Sequence, residues 1–291
     1  MERSTVIQRD NIASRVWTGF ILGCLVVAIA LGLFAQRASG ELLVNKPKAA
    51  SIRLAAIAVD DWLPTRDARP VGDYWLSYDG RTKSARYVVE YLTARSLAKR
   101  VDRAAGFRAD LDALSEARAS TADYEASGYD QGHLAPADFH KADDDKQSAT
   151  FVLSNAAPQV PECNRGCWRL LEAHVRTLAE ESEAAIVITA PLYLPDKDGN
   201  VVLKTIGVNR VFVPTHFAKA VIRQSAGSDL PEVMAWIVPN SKAVGNDLTK
   251  YLVSIDDFEA GAGIDVFAPL PDDIEKSLES LGPPQPVKPR Q

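Results

Sequence analysis

The 291-residue chain is long enough for one large domain or two small ones, and its 46% hydrophobic, 24% charged composition excludes a chain disordered throughout. A formal net charge of −5 excludes a protein that grips polyanions through a uniformly basic surface. Any such contact must come from a local patch or a bound cation.

Taken from the N-terminus, Arg3, Arg9 and Arg15 precede an uncharged apolar run from Trp17 to Ala35. Nineteen residues at about 1.5 Å each span roughly 28 Å, close to the hydrocarbon thickness of a bilayer. The leading arginines place residues 1–16 in the cytoplasm and export the body. Ala38-Ser39-Gly40 offers a signal-cleavage alternative, but the run exceeds the length of a signal core, so an uncleaved transmembrane helix over 17–35 is the expectation. Residues 36–60 read as a stalk. From Arg81 to Arg108 basic residues dominate, Arg95 and Arg103 among them, as either a phosphate-facing patch or a solvated face.

Strand-like runs follow at 87–92, 150–153, 185–189, 210–213 and 234–238. The clearest helix starts near Asn164, which sits where an N-cap belongs. At 100° per residue, Arg169, Glu172 and Arg176 fall within about 40° of Arg165, while Leu171, Val175 and Leu178 lie opposite. Strands and helices without a regular βαβ rhythm predict an α+β body. The last residues, GPPQPVKPRQ, read as a disordered tail, placed at 276–291.

Four histidines limit the acid–base candidates. His174 lies on the apolar helix face as a core or boundary residue, His216 follows a strand in a structural role, and His140 has no evident partner. His133 differs: in Asp130-Gln131-Gly132-His133, glycine permits close backbone approach, and the residue is either catalytic or structural. Downstream come Ser154-Asn155-Ala156-Ala157-Pro158-Gln159 and then Cys163-Asn164-Arg165-Gly166-Cys167-Trp168 with Leu171-Glu172. Asn164 is either a helix cap or, through its hard oxygen, a ligand for Mg²⁺. A single Cys-x3-Cys pair is too few ligands for structural zinc, leaving a local disulfide or two inert thiols. No phosphate-binding loop, His-Glu-x-x-His helix or nucleophile elbow occurs.

Together these segments resemble the DNA/RNA non-specific endonuclease family, the ββα-metal nucleases, whose signature runs Asp-Arg-Gly-His, Ser-Asn-x-x-Pro-Gln, then Asn-x-Gly-x-Trp with Leu-Glu. Weaker matches at 74–78, 189–193, 213–219 and 238–240 extend the likeness over nearly all of residues 70–271. The resemblance implies a mixed α/β nuclease domain, placed at 61–275, that hydrolyses DNA and/or RNA with little sequence specificity. It further implies His133 as general base, Asn164 as ligand of Mg²⁺ (with Mn²⁺ able to substitute), Glu172 ordering water around the ion and Arg176 contacting phosphate. Asn155 would orient the backbone or the histidine, with Arg103, Gln131 and Arg169 toward substrate. Gln131 departs from the family's arginine and removes a cation beside His133. The membrane would be a bacterial inner membrane facing the periplasm or, alternatively, a mitochondrial inner membrane, and a homodimer is compatible with the sequence. The rival readings are a catalytically weak nucleic-acid-binding protein on the same fold and a hydrolase for another phosphodiester.

Overall fold

In the computed structural model the described residues are 67–98, 101–102, 106–113, 117–196, 198–228, 230–267 and 272–279. The expected anchor at 17–35, the stalk at 36–60 and Arg103 lie outside them. No helix among the described residues is long and apolar enough to cross a membrane.

The strands are β1 (Arg69–Val71), β2 (Tyr74–Asp79), β3 (Ser84–Leu92), β4 (Asp130–His133), β5 (Ala156–Gln159), β6 (Ala184–Leu192), β7 (Lys204–Ile206), β8 (Val211–Val213), β9 (His216–Gln224), β10 (Glu232–Pro239) and β11 (Leu252–Val253). Seven form one sheet in the order β1-β2-β3-β6-β9-β10-β11, every neighbour antiparallel, and β4–β5 and β7–β8 are separate pairs. The helices are α1 (Asp144–Ala149), α2 (Arg169–Glu180), α3 (Ile255–Ala262) and α4 (Asp272–Glu279). This is the mixed, non-βαβ architecture that the sequence pattern predicts.

Both faces of the sheet are covered, which is why β6 is buried along its whole length and reads as a continuous apolar run. Side chains alternate between two cores with the strand period of two. Val187, Phe217, Val221 and Trp236 pack with Leu171 and Val175 of α2 on one face. Ile186, Ile188, Ala220 and Ile222 pack with Ile255 and Phe258 of α3 on the other. Each such large side chain contributes roughly 1.5–3 kcal/mol through burial. On the α2 side the alternation also buries Glu90, Thr189 and Lys219 completely, three polar positions on adjacent strands.

Three expectations need correction. Thr150–Leu153 is not a strand: Asp143 caps the start of α1, Thr150 ends it with its hydroxyl donating to Gln147 O at 2.7 Å, and only Val152 forms a bridge, to Arg108. The helix does not begin at Asn164 but at Pro161, where a missing N–H costs nothing. At the C-terminal end, α4 carries folded structure through Glu279, with Leu278 only 1% exposed, so the segment 276–279 is not tail.

Candidate active site

Strands β4 and β5 pair antiparallel, with Gly132 opposite Ala157 and His133 opposite Ala156. A Cβ on Gly132 would lie 2.2 Å from Gln159 Oε1 and 2.7 Å from Gln159 Cβ, so only glycine fits this approach. Asn240, at the end of β10, fastens the exit of β5: its amide donates to Pro158 O and Pro214 O at 3.0 and 2.9 Å and accepts from Val160 N at 2.7 Å. The chain then turns into the helix at Pro161. Between Cys163 and Trp168 that helix is kinked at Gly166, whose φ −104° and ψ −107° are non-helical, before α2 continues in regular form. Strand β4, backed by β5, and the helix thus present their side chains to one opening.

That opening is a cleft of about 370 Å³ whose lining includes Gln131, His133, Asn164, Arg165, Arg169 and Glu172. The His133 ring clusters with Phe107 and Phe151, with centroids at 4.4 and 4.9 Å. Asn164 donates its Nδ2 to Asp130 Oδ2 at 2.9 Å. That bond sets the amide's rotation, so Oδ1, its acceptor oxygen, is the atom not committed to Asp130. Arg165 closes a two-point pair on the same carboxylate, at 2.8 and 2.6 Å. Burial would raise the Asp130 pKa, but the bonds from Arg165 and Asn164 outweigh it and hold the carboxyl below its usual range.

Glu172 sits at the inner end of the cleft. Burial pushes its carboxyl up to about 7 against the Lys219 charge, with Glu90 and Asp138 adding to the rise. Beneath it, Lys219 donates to Thr189 Oγ1 at 2.5 Å and lies 5.1 Å from the Trp168 ring centroid. Burial lowers its pKa, opposed by Glu90 and Glu172. Glu90 also accepts from His140 Nε2 at 2.8 Å, and His140 Nδ1 meets Asp73 at 2.5 Å. Contrary to the sequence reading, His140 therefore has two partners. Burial opposes its charge, yet the two carboxylates raise it to about 9.

The sequence candidates divide. His133, Asn164, Glu172, Gln131 and Arg169 are brought together. Asn155 is fully buried and outside the cleft lining, its amide spent on Ala135 N, Ala135 O and Thr150 O at 2.9 Å each, which fixes the backbone just after His133. Arg176 is also turned inward: Nη1 donates to Asp138 O at 2.7 Å, Nη2 to Leu97 O, and Nε pairs with Glu180 at 2.9 Å. It holds the wall of the cleft and does not line it. His174 is exposed at the edge of α2 against Trp236, and His216 bonds Thr215. Cys163 and Cys167 are free, buried thiols, with burial raising the former to about 11. Arg165 and Asp138 line the cleft without having been singled out. Arg165 was visible on the polar helix face, whereas nothing local marks Asp138.

A hard divalent cation fits this donor set. An oriented amide oxygen and a nearby carboxylate in a polar, open cleft are few protein ligands with room for water, as Mg²⁺ requires. Among the described residues the thiols have no further zinc-type partners; the one close acidic cluster, Asp256, Glu259 and Glu279, lies elsewhere, on α3 and α4.

Comparison with known proteins agrees with this architecture. A family model described as DNA/RNA non-specific endonuclease matches residues 63–273. Human "Endonuclease G, mitochondrial" is 40% identical over 202 residues, 67% of each chain. Human "Nuclease EXOG, mitochondrial" is 32% identical over 284 residues, covering 92% of this chain and 77% of the relative. A chain in a crystal structure of the EndoG/EndoGI complex superposes with a TM-score of 0.68 at 38% identity, covering 72% of this chain and 89% of that one.

Proposed function

The chain belongs to the DNA/RNA non-specific endonuclease family, and from that premise we propose that it is a metal-dependent nuclease in which His133 is the general base. The observation that carries this reading is the convergence of His133, Glu172 and a rotationally fixed Asn164 on one cleft. His133 takes a proton from the water that attacks the phosphodiester in line, and its ring packs against Phe107 and Phe151. Asn155 acts one step back, by fixing the main chain at Ala135. Asn164 would hold a divalent cation such as Mg²⁺, with Glu172 ordering the water around it, and the bound ion would supply positive charge to stabilise the leaving 3′-oxygen. Arg169 faces the substrate backbone, and contacts of that kind carry no sequence information, which accounts for broad specificity. Arg176 serves the site by holding Asp138.

A plasmid-nicking assay tests the reading. Supercoiled DNA should be converted to nicked and linear forms with Mg²⁺ and left intact with EDTA; no conversion with either Mg²⁺ or Mn²⁺ would overturn it. The neutral Gln131 favours one alternative, a weak catalyst that mainly binds nucleic acid, and retention of DNA without nicking would be its result. As for compartment, the membrane anchor rests on residues 17–35 of the sequence alone. The mitochondrial names of the relatives favour a mitochondrial location over a bacterial periplasmic one.

A further inference from the structure

The cations of the cleft are held unequally. Of the three guanidiniums that the helix offers, Arg176 is spent on Leu97, Asp138 and Glu180. On the strand, the residue two before His133 is the neutral Gln131. Arg165 and Arg169 remain as the cationic side chains of the lining. Among the described residues, Arg169 makes a single bond, from Nε to Arg165 O at 3.1 Å. Arg165 is 72% exposed by side chain yet anchored at two points on Asp130. A two-point pair fixes the plane of a guanidinium, which an exposed arginine otherwise lacks. It uses two of the five N–H donors and leaves three for another acceptor. The carboxylate that orients Asn164 is the one that orients Arg165, so both point into the cleft from one fixed frame.

We propose that Arg165, aimed by Asp130, is the phosphate-contacting guanidinium held in a fixed plane at this cleft, delivered from the helix in place of a cation at position 131. This deepens the nuclease reading above and rests on it. Asp130 does not compete with the phosphate, because it occupies one edge of the guanidinium and leaves the other open. A phosphodiester met by Arg165 is thereby set beside His133 and Asn164.

The test reads binding separately from cleavage. A short fluorescein-labelled DNA duplex is titrated in EDTA, by anisotropy at several salt concentrations, with wild type, Arg165→Gln, Arg165→Lys and the exchange variant Arg165→Gln/Gln131→Arg. Arg165→Gln should weaken binding about tenfold and lower the salt slope by about 0.9, the amount for one lost phosphate contact. Arg165→Lys should retain the slope but bind less tightly, since a point charge cannot hold the two-point geometry. The exchange variant should regain most of the affinity; a residue that merely clasped Asp130 would not be rescued from the strand. Binding by Arg165→Gln within twofold of wild type with an unchanged slope would overturn the proposal, as would an exchange variant no better than the single one. Wild type that binds through Arg165 but never nicks DNA would refute the nuclease reading and leave this assignment standing.

Discussion

His140→Gln should abolish a pH dependence of stability that the wild type carries. His140 is 2% exposed and lies between Asp73 and Glu90, which raise its pKa from 6.5 to about 9. A folded-state pKa above the unfolded value means that the native state binds the extra proton. The contribution is therefore complete below about pH 6.5 and lost as pH rises through about 9. A rise of this size corresponds to about 3 kcal/mol at 1.36 kcal/mol per pKa unit. Other charges face the same cluster, Lys146 on Asp73 at 3.2 Å and Lys219 toward Glu90, and they are common to both proteins. Urea denaturation at pH 6, 7.5 and 9.5 is the assay, with the variant subtracting every other titration. Wild type should lose about 3 kcal/mol more than His140→Gln across that interval. Parallel curves for the two proteins would show that His140 is not charged in the native state, and the argument from Asp73 and Glu90 would fall.

His133→Ala should lower the nicking rate by about 10²–10⁴-fold with an unchanged melting temperature; a loss under threefold would remove the base assignment. Gly132→Ala, whose methyl would press on the buried Gln159, should cost about 1–3 kcal/mol in urea denaturation, and wild-type stability would contradict the close packing of β4 on β5. Arg176→Ala should lose about 2 kcal/mol of stability by orphaning Leu97 O and the Asp138 side. Its DNA affinity in EDTA should change less than twofold, and a tenfold loss with normal stability would return Arg176 to the substrate.

The sheet was legible where two-sided burial gives an apolar run. In β6 both faces meet a core, so its centre reads as an apolar run whatever lies around it, whereas β9, interrupted by Lys219 and Arg223, was not legible. The tight point of the β4–β5 pair was legible through its motif, because only glycine fits at position 132 against Gln159. Long-range pairing was not. His140 finds its carboxylates 67 and 50 residues away, and no local signal encodes that. Thr150–Leu153 has strand composition, but the Thr150 hydroxyl is taken by the end of α1. Arg176 shares the polar face of α2 with Glu172, yet the wheel could not tell that Leu97 O and Asp138 would draw it inward.

The kink at Gly166, within Cys163–Trp168, has a consequence for how this chain tolerates change in length. Each residue advances a helix by about 100°. Deleting a single residue there would swing everything before it, Asn164 included, by about a quarter-turn relative to Glu172 and Arg169. The fold could survive such a deletion while the cleft lost its frame. The exposed stretch 198–205, by contrast, meters nothing and can lengthen or shorten freely. In this molecule the phase of one helix is a gauge set to the residue, and at this kink it is a change in length that the cleft cannot absorb.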